Sequence, residues 1–332
     1  MKFTCVGTHL YEAFTAVRRI TSSTNIVERK FVLHAVDNKL YIWSQGGSVI
    51  SCAIVDAQVD EPGDVTLGVE SFNIFQLIEE VEVKALKTTL KLSGPVDGKI
   101  PTLEKYDLAL IEKLLPTDGI FLDAKKVKKI KWAADKVADN LRGMVVKDGL
   151  VVCSDGFQFA FFKTDIDDST NIPLILFNDL PTGDLAIVVE EDTVWSIVKT
   201  NTFKMYSQSG KVKMNEAIVS IAKQYHTSPV FCTANKTDLR KALAAVTALS
   251  LEPRVLLEYS PSILSLKTID GQGLLGTPVS AGGEAFSAIT STTFLSNALH
   301  EMGDIITISV FDNLINLSDE NIFVTLPKYK GV

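Results

Sequence analysis

A chain of 332 residues is too long for one compact domain and fits two or three. Its 46% hydrophobic and 22% charged residues exclude a disordered chain, and no apolar run approaches the ~18 residues a membrane span needs. The net charge of -7 argues at face value against nucleic acid, and the scattered Cys5, Cys52, Cys153 and Cys232 have no zinc or redox spacing.

Phe3-Thr4 reads as a short strand, and Lys2 has no apolar stretch behind it of the kind a secretory signal carries. A helix follows, in which Leu10, Phe14, Val17 and Ile20 recur at helical spacing on one face. The strand Leu40-Tyr-Ile-Trp runs into Ser44-Gln45-Gly46-Gly47, where glycine suits a tight turn. Phe72, Phe75, Leu77 and Ile78 mark a second helical pattern, and strands over Ala85 to Leu92 close the unit. A polar, proline-bearing stretch at Pro116-Thr117-Asp118-Gly119 ends it.

The same order then recurs. Phe121-Leu122 precedes a helix whose Val127, Ile130, Ala134 and Val137 match Leu10, Ala13, Val17 and Ile20 at an offset of 117. Leu150-Val-Val-Cys runs into Ser154-Asp155-Gly156. Between Asn171 and Leu185, Pro173 and Pro181 predict a second helix that is short or absent. After Thr227-Ser228-Pro229 a third copy opens with Phe231-Cys232-Thr233. Its helix carries Leu239, Leu243, Val246 and Leu249, offset from the first stripe by a constant 229. Leu264-Ser-Leu-Lys leads to Asp270-Gly271, Phe294, Leu295, Ala298 and Leu299 mark a second helix, and strands from Ile305 to Leu326 finish the repeat. Three repeats of roughly 110 residues predict domains at 1–117, 118–228 and 229–332, each α+β with helices on antiparallel sheets.

Charge is unevenly distributed over these repeats. The three first helices (9–20, 123–136, 235–249) hold eleven Lys/Arg against four Asp/Glu, leaving 22 basic and 36 acidic residues elsewhere. With the apolar stripe inward, Arg18, Arg19, Lys125, Lys128, Lys129, Lys136, Arg240 and Lys241 lie on the flank or the far side, with Trp132 among them. A solvated helix face also looks like this. Recurrence in three repeats against an acidic background points instead to sequence-independent phosphate contacts.

Enzyme signatures fail on their surroundings. Gly271-Gln-Gly273-Leu-Leu-Gly276 is followed at once by Thr277-Pro278, where a dinucleotide site needs a helix. Gly94 to Ile100 is one residue short of a P-loop and lacks its Ser/Thr. His300-Glu301 has no second histidine one turn on, and Asp165, Asp167 and Asp168 lack a calcium loop's glycine. No catalytic residue, metal site or cofactor is predicted.

The chain resembles the beta sliding clamp of bacterial DNA polymerase III along nearly its whole length. The likeness rests on MKFT with His9-Leu10, then Lys39-Leu40 and Ile42, then Glu61-Pro62-Gly63 with Phe72. It continues through Leu141-Arg142-Gly143-Met144, Ser154-Asp155-Gly156 and Phe323-Val324-Thr325-Leu326-Pro327. The resemblance implies a cytoplasmic, non-enzymatic processivity factor, in a bacterium or in a phage host cell. It would be a head-to-tail homodimeric ring around double-stranded DNA, placed by a clamp loader. It would bind DNA polymerase and other partners through a short linear peptide. Carried over by position, the peptide site would use Leu141, Ser154, Gly156, Phe157, Phe159, Val324, Leu326 and Pro327, and the subunit interface Phe75, Ile100, Ala248 and Leu249. Where the family has His-Arg-Leu this chain has Phe157-Gln158-Phe159, and Lys328-Tyr329 replaces an apolar residue after Pro327. Phe157 and Phe159 also fit plain strand core. A structural or virion assembly protein built from repeated sheets is the alternative reading, and an enzyme using scattered carboxylates such as Asp155 and Asp165 a more distant one.

Overall fold

The computed structural model describes residues 1–21, 30–95, 97–104, 115–116, 119–134, 136, 143–167, 169–177, 180–214, 217–226, 232–260, 262–270, 274–280, 284–311 and 313–330. The chain divides into two compact units, residues 1–124 with 173–211 and residues 125–172 with 212–332. Residues of the predicted middle repeat contribute to both.

Unit 1 holds two sheets, with strands numbered along the chain. The five-stranded sheet runs β5 (Gln58–Glu61), β1 (Lys2–Val6), β7 (Glu80–Ala85), β8 (Thr89–Ser93), β9 (Gly98–Pro101). The eight-stranded sheet runs β10 (Ile120–Leu122), β15 (Asp184–Val189), β16 (Thr193–Lys199), β17 (Phe203–Gly210), β4 (Val49–Asp56), β3 (Lys39–Gly46), β2 (Lys30–Val36), β6 (Gly63–Gly68). Antiparallel pairing of β17 with β4 joins strands of the first two repeats. At that seam Ser51 and Ser207 share a buried 2.8 Å hydroxyl contact, so two polar groups inside the sheet satisfy each other.

Helix α1 (Gly7–Ile20) packs on β3, β4 and β17 through Leu10, Ala13, Phe14, Val17 and Ile20, the stripe its spacing predicts. Phe14 stacks on Phe72 (ring centroids 3.6 Å) and sits 4.3 Å from Phe31, while Phe72 meets Phe75 at 5.9 Å. The second helical pattern of the first repeat is a 3-10 helix, Val69–Leu77, which buries Phe72 and Phe75 completely. Gly46 reads from sequence as a turn residue, but close approach fixes it: a Cβ there would lie 1.8 Å from the Thr21 carbonyl oxygen at the end of α1.

Unit 2 is built on a twelve-stranded sheet. Its order is β14 (Thr170–Pro173), β11 (Gly143–Lys147), β12 (Leu150–Ser154), β13 (Phe159–Lys163), β25 (Phe323–Pro327), β24 (Leu314–Ser318), β23 (Ile305–Phe311), β18 (Cys232–Asn235), β21 (Leu274–Ser280), β20 (Ile263–Lys267), β19 (Arg254–Ser260), β22 (Phe286–Ser291). Helix α2 (Ala124–Ile130) continues as a 3-10 turn to Ala134, and α4 (Lys236–Leu249) and α5 (Thr292–Glu301) are the two helices of the last repeat. Val137, which closes the predicted second stripe, lies outside the described residues. Leu249, predicted to end the third stripe, is 58% exposed, so that stripe stops at Val246. The short helix expected between Pro173 and Pro181 is a single 3-10 turn, Leu174–Phe177, which belongs to unit 1.

Helix α3 (Ala217–His226) was not anticipated. It buries Ile218, Val219 and Ala222 against Val145, Val152, Phe159 and Phe161. Two hairpins turn on residue pairs with both φ positive, Asp37-Asn38 (49° and 57°) and Asp148-Gly149 (52° and 74°). That geometry matches the twist of the flanking strands.

All four cysteines are buried free thiols. Burial pushes the Cys5 and Cys232 thiols up to about 12, and Cys52 well above its usual range. A thiol reagent at pH 8 is therefore expected to leave the native chain unmodified and to label four cysteines after denaturation. Because the folded pKa lies above the unfolded one, the thiol contribution to stability is complete below about pH 8.5 and is lost as pH rises toward 12. Denaturation midpoints that rise with pH over that interval would contradict this assignment.

Candidate nucleic-acid interface and partner surface

The three cationic helices are held in place differently. Helix α1 lacks a side-chain cap; the Ile78 and Glu79 carbonyls instead accept from Thr8 and Gly7 N–H (both 3.1 Å). Gly7 is needed there, since a Cβ would lie 2.5 Å from the Ile78 oxygen. Arg18 and Arg19 are exposed in its last turn, where the helix dipole favours cations. In α2, Lys125 and Lys128 are exposed, Lys129 is half-buried, and Trp132 Nε1 donates to the Lys129 carbonyl at 2.8 Å. Lys136 is exposed, with its ammonium 5.0 Å from the centre of the Phe294 ring.

Helix α4 is capped by Asn235, whose Oδ1 accepts from Thr237 N at 2.8 Å, and it presents Arg240 and Lys241 to solvent. Lys236 is committed elsewhere: its ammonium donates to the Met302 and His300 carbonyls at the end of α5. Beside Arg240, a groove of about 600 Å³ between α4 and α5 is lined by Thr247, Thr292, Thr293, Ser296 and Asn297. These uncharged donors suit phosphate oxygens and escaped the sequence reading, which counted charges alone.

The predicted peptide-site residues gather at the β12–β13 turn and β25. Asp155 organises the turn: Oδ1 accepts from Phe157 N and Gln158 N (both 2.9 Å), and Oδ2 from Gln158 Nε2 at 3.1 Å. Ser154 Oγ accepts from Gly156 N at 2.9 Å, and Gly156 has φ +90°. The product is a fixed turn that holds Phe157 in solvent at 69% exposure. Phe159, Val324 and Leu326 do not share that surface. Each is buried, with Phe159 opposite Thr325 and Val324 opposite Ala160 across the β13–β25 ladder. Alternation puts Phe159 on the face covered by Ile218, Val219 and Ala222 of α3, and Val324 and Leu326 on the opposite face, which is also buried. For Phe159 this is the plain-core reading. Pro327 is half-buried, and its carbonyl accepts from Thr290 Oγ1 at 3.0 Å. Leu141 lies outside the described residues.

Of the four interface expectations, Phe75 offers no surface, because the Phe14–Phe31–Phe72 cluster consumes it, and Ile100 is 6% exposed in edge strand β9. Ala248 and Leu249 are exposed at the end of α4, and the unpredicted Leu251 beyond them is 96% exposed. Leu274–Gly276, in the glycine-rich motif, belong to strand β21 rather than to a helix. Among the described residues, no three His, Cys, Asp or Glu side chains converge on a metal site, and no helix is long and apolar enough to cross a membrane.

No family model matches the sequence, and no curated protein is similar to it. Solved structures do match. A DNA polymerase sliding clamp from Pseudomonas aeruginosa superposes with TM-score 0.78 at 16% identity, covering 99% of this chain and 100% of that one. The DNA polymerase III beta subunit of Thermotoga maritima gives 0.76 at 17% identity, and that of Borrelia burgdorferi, solved with a natural product, 0.77 at 16%; both cover 99% of each chain. The fold is that of the bacterial DNA sliding clamps. In this clamp fold α1, α2 and α4 carry the recurrent basic faces, and the β12–β13 turn and β25 lie side by side in one sheet.

Proposed function

We propose that the chain is a DNA sliding clamp and not an enzyme: a homodimeric ring of three-domain subunits (1–117, 118–228, 229–332) that encircles duplex DNA. The supporting observation is the recurrent cationic helix. In a protein of net charge -7, α1, α2 and α4 each bury an apolar face and leave Arg18, Arg19, Lys125, Lys128, Arg240 and Lys241 exposed. Such charges attract phosphates without reading sequence, which is what sliding requires. A closed ring leaves DNA only at an end. A polymerase tethered to it by a short peptide stays at high local concentration near the primer. The fixed turn bearing Phe157, with Pro327 and the 37%-exposed Tyr329, supplies the surface for that peptide. Exposed Leu249 and Leu251, with edge strand β9, supply the heterologous contacts that close a head-to-tail ring. A clamp loader would open it, in the cytoplasm of a bacterium or of a phage-infected cell.

Retention on circular DNA is the test. Protein loaded on nicked circles (with a loader if needed) should co-elute with them in gel filtration and be released by linearisation. Equal retention on circles and linear DNA would show ordinary electrostatic binding and remove the ring.

A further inference from the structure

The face of the eight-stranded sheet turned away from α1 carries a second cationic feature, at its corner by the β16–β17 turn. Alternation assigns the face. Phe203 lines a cleft with Tyr11 and Thr15 of α1, so its neighbour Lys204 points to the other side. There Lys204 stands directly opposite Lys199 on β16 and Ile54 on β4, and Ile54 is opposite Tyr41 on β3. Next along those strands, Lys39 is opposite Asp56. These residues and the turn enclose a pocket of about 370 Å³.

Charge and geometry give the pocket a purpose. Like charges directly across a ladder are destabilising, yet Lys199 and Lys204 make no ion pair among the described residues. Asp56 is engaged by the Lys39 ammonium, and Asp184 flanks Lys199 on its far side. Lys204 lies along the strand with its ammonium 4.8 Å from the centre of the Tyr206 ring, a contact that leaves its N–H donors open. The turn is set in advance: Thr200 Oγ1 accepts from Phe203 N (3.0 Å) and Thr202 N (3.2 Å), and Thr202 Oγ1 donates to Glu12 of α1 (2.9 Å). Asn201 adds an exposed amide donor at the rim. No arginine contributes. Lysine ammoniums bind phosphate as point charges, and the neutral donors at the rim can add hydrogen bonds to its several oxygens.

We propose that this corner is a binding site for a phosphate-bearing small anion, held by Lys199 and Lys204 over a floor of Tyr41 and Ile54, with Lys39 neutralising Asp56 at its edge. The site is separate from the cationic helices and does not depend on ring formation. Free pyrophosphate and the triphosphate of a nucleotide share the required chemistry.

Calorimetric titration in magnesium-free buffer with each of these two probes tests it. Saturable one-to-one binding is expected, weakened about tenfold or more in Lys199→Gln/Lys204→Gln. Lys84→Gln/Lys91→Gln should leave it unchanged, because those lysines also face each other across a ladder but are not among the residues lining the pocket. Tighter binding of pyrophosphate identifies a free-anion site, and tighter binding of the triphosphate a nucleotide site. Removing the like-charge pair should preserve or raise the melting temperature, which separates lost binding from lost folding. If the double variant unfolds, Lys204→Gln alone carries the same expectation. The proposal fails if neither probe saturates, if binding survives both Lys204 variants, or if Lys84→Gln/Lys91→Gln weakens it equally.

Discussion

Neutralising Lys125, Lys128, Arg240 and Lys241 together to glutamine is expected to lower duplex-DNA affinity by about 10²–10³-fold at ~0.1 M salt, and to flatten its salt dependence. All four are exposed on helices whose opposite faces are buried, so the loss should come without a loss of folding. Each phosphate contact contributes about 0.9 to the log–log salt slope, so four lost contacts reduce it by roughly 3 to 4. Fluorescence anisotropy over a salt series reads both quantities. An unchanged slope would mean that these side chains meet solvent only, the reading that a lone lysine-rich helix invites. The effect should also be indifferent to DNA sequence, since contacts to phosphates alone carry no base information.

The second large effect is on stability. Phe14→Ala removes the ring that stacks on Phe72 and leans on Phe31, leaving a cavity between α1, the sheet and the Val69–Leu77 turn. A buried Phe→Ala change costs about 3–5 kcal/mol, a large share of the roughly 5–15 kcal/mol that holds a domain together. Phe157→Ala removes the same ring from a position 69% exposed and should stay within about 0.5 kcal/mol of the parent. Denaturant titration of the two variants separates them. A small effect at Phe14 would show that the aromatic cluster does not anchor α1 to its sheet.

These contrasts show what the sequence could and could not disclose. The strand–helix–strand order, the stripe of α1, the stripe of α4 as far as Val246, that of α2 as far as Ala134 and the turns after Trp43 and Cys153 were legible, because each follows from local periodicity or turn chemistry. The joins were not. The pairing of β4 with β17 and of β13 with β25 links residues 148 or more positions apart, and no local pattern encodes which edges meet. Helix α3 has no counterpart in the repeated strand–helix–strand pattern, although its Ile218, Ile221 and Ala222 have helical spacing. For the candidate sites, exposure of the basic side chains followed from the stripes. Burial of Phe75 and Phe159 fits their apolar patterns, whereas that of Val324 and Leu326 did not follow, since position in a related sequence says nothing about which face of a strand a side chain takes here.

The interleaving of the two units bears on how the chain is made. Each unit is assembled from two separated stretches, 1–124 with 173–211 and 125–172 with 212–332. On the ribosome β4 must wait for β17, and Phe159 is synthesised 166 residues before its partner Thr325. At about 5–20 residues per second, β13 spends roughly 10–30 s as an open edge, with buried-to-be Phe161 and Phe162 uncovered. Vectorial synthesis therefore leaves hydrophobic strands unpaired for far longer than a hairpin needs to close, and favours holding factors that shield them until β25 emerges.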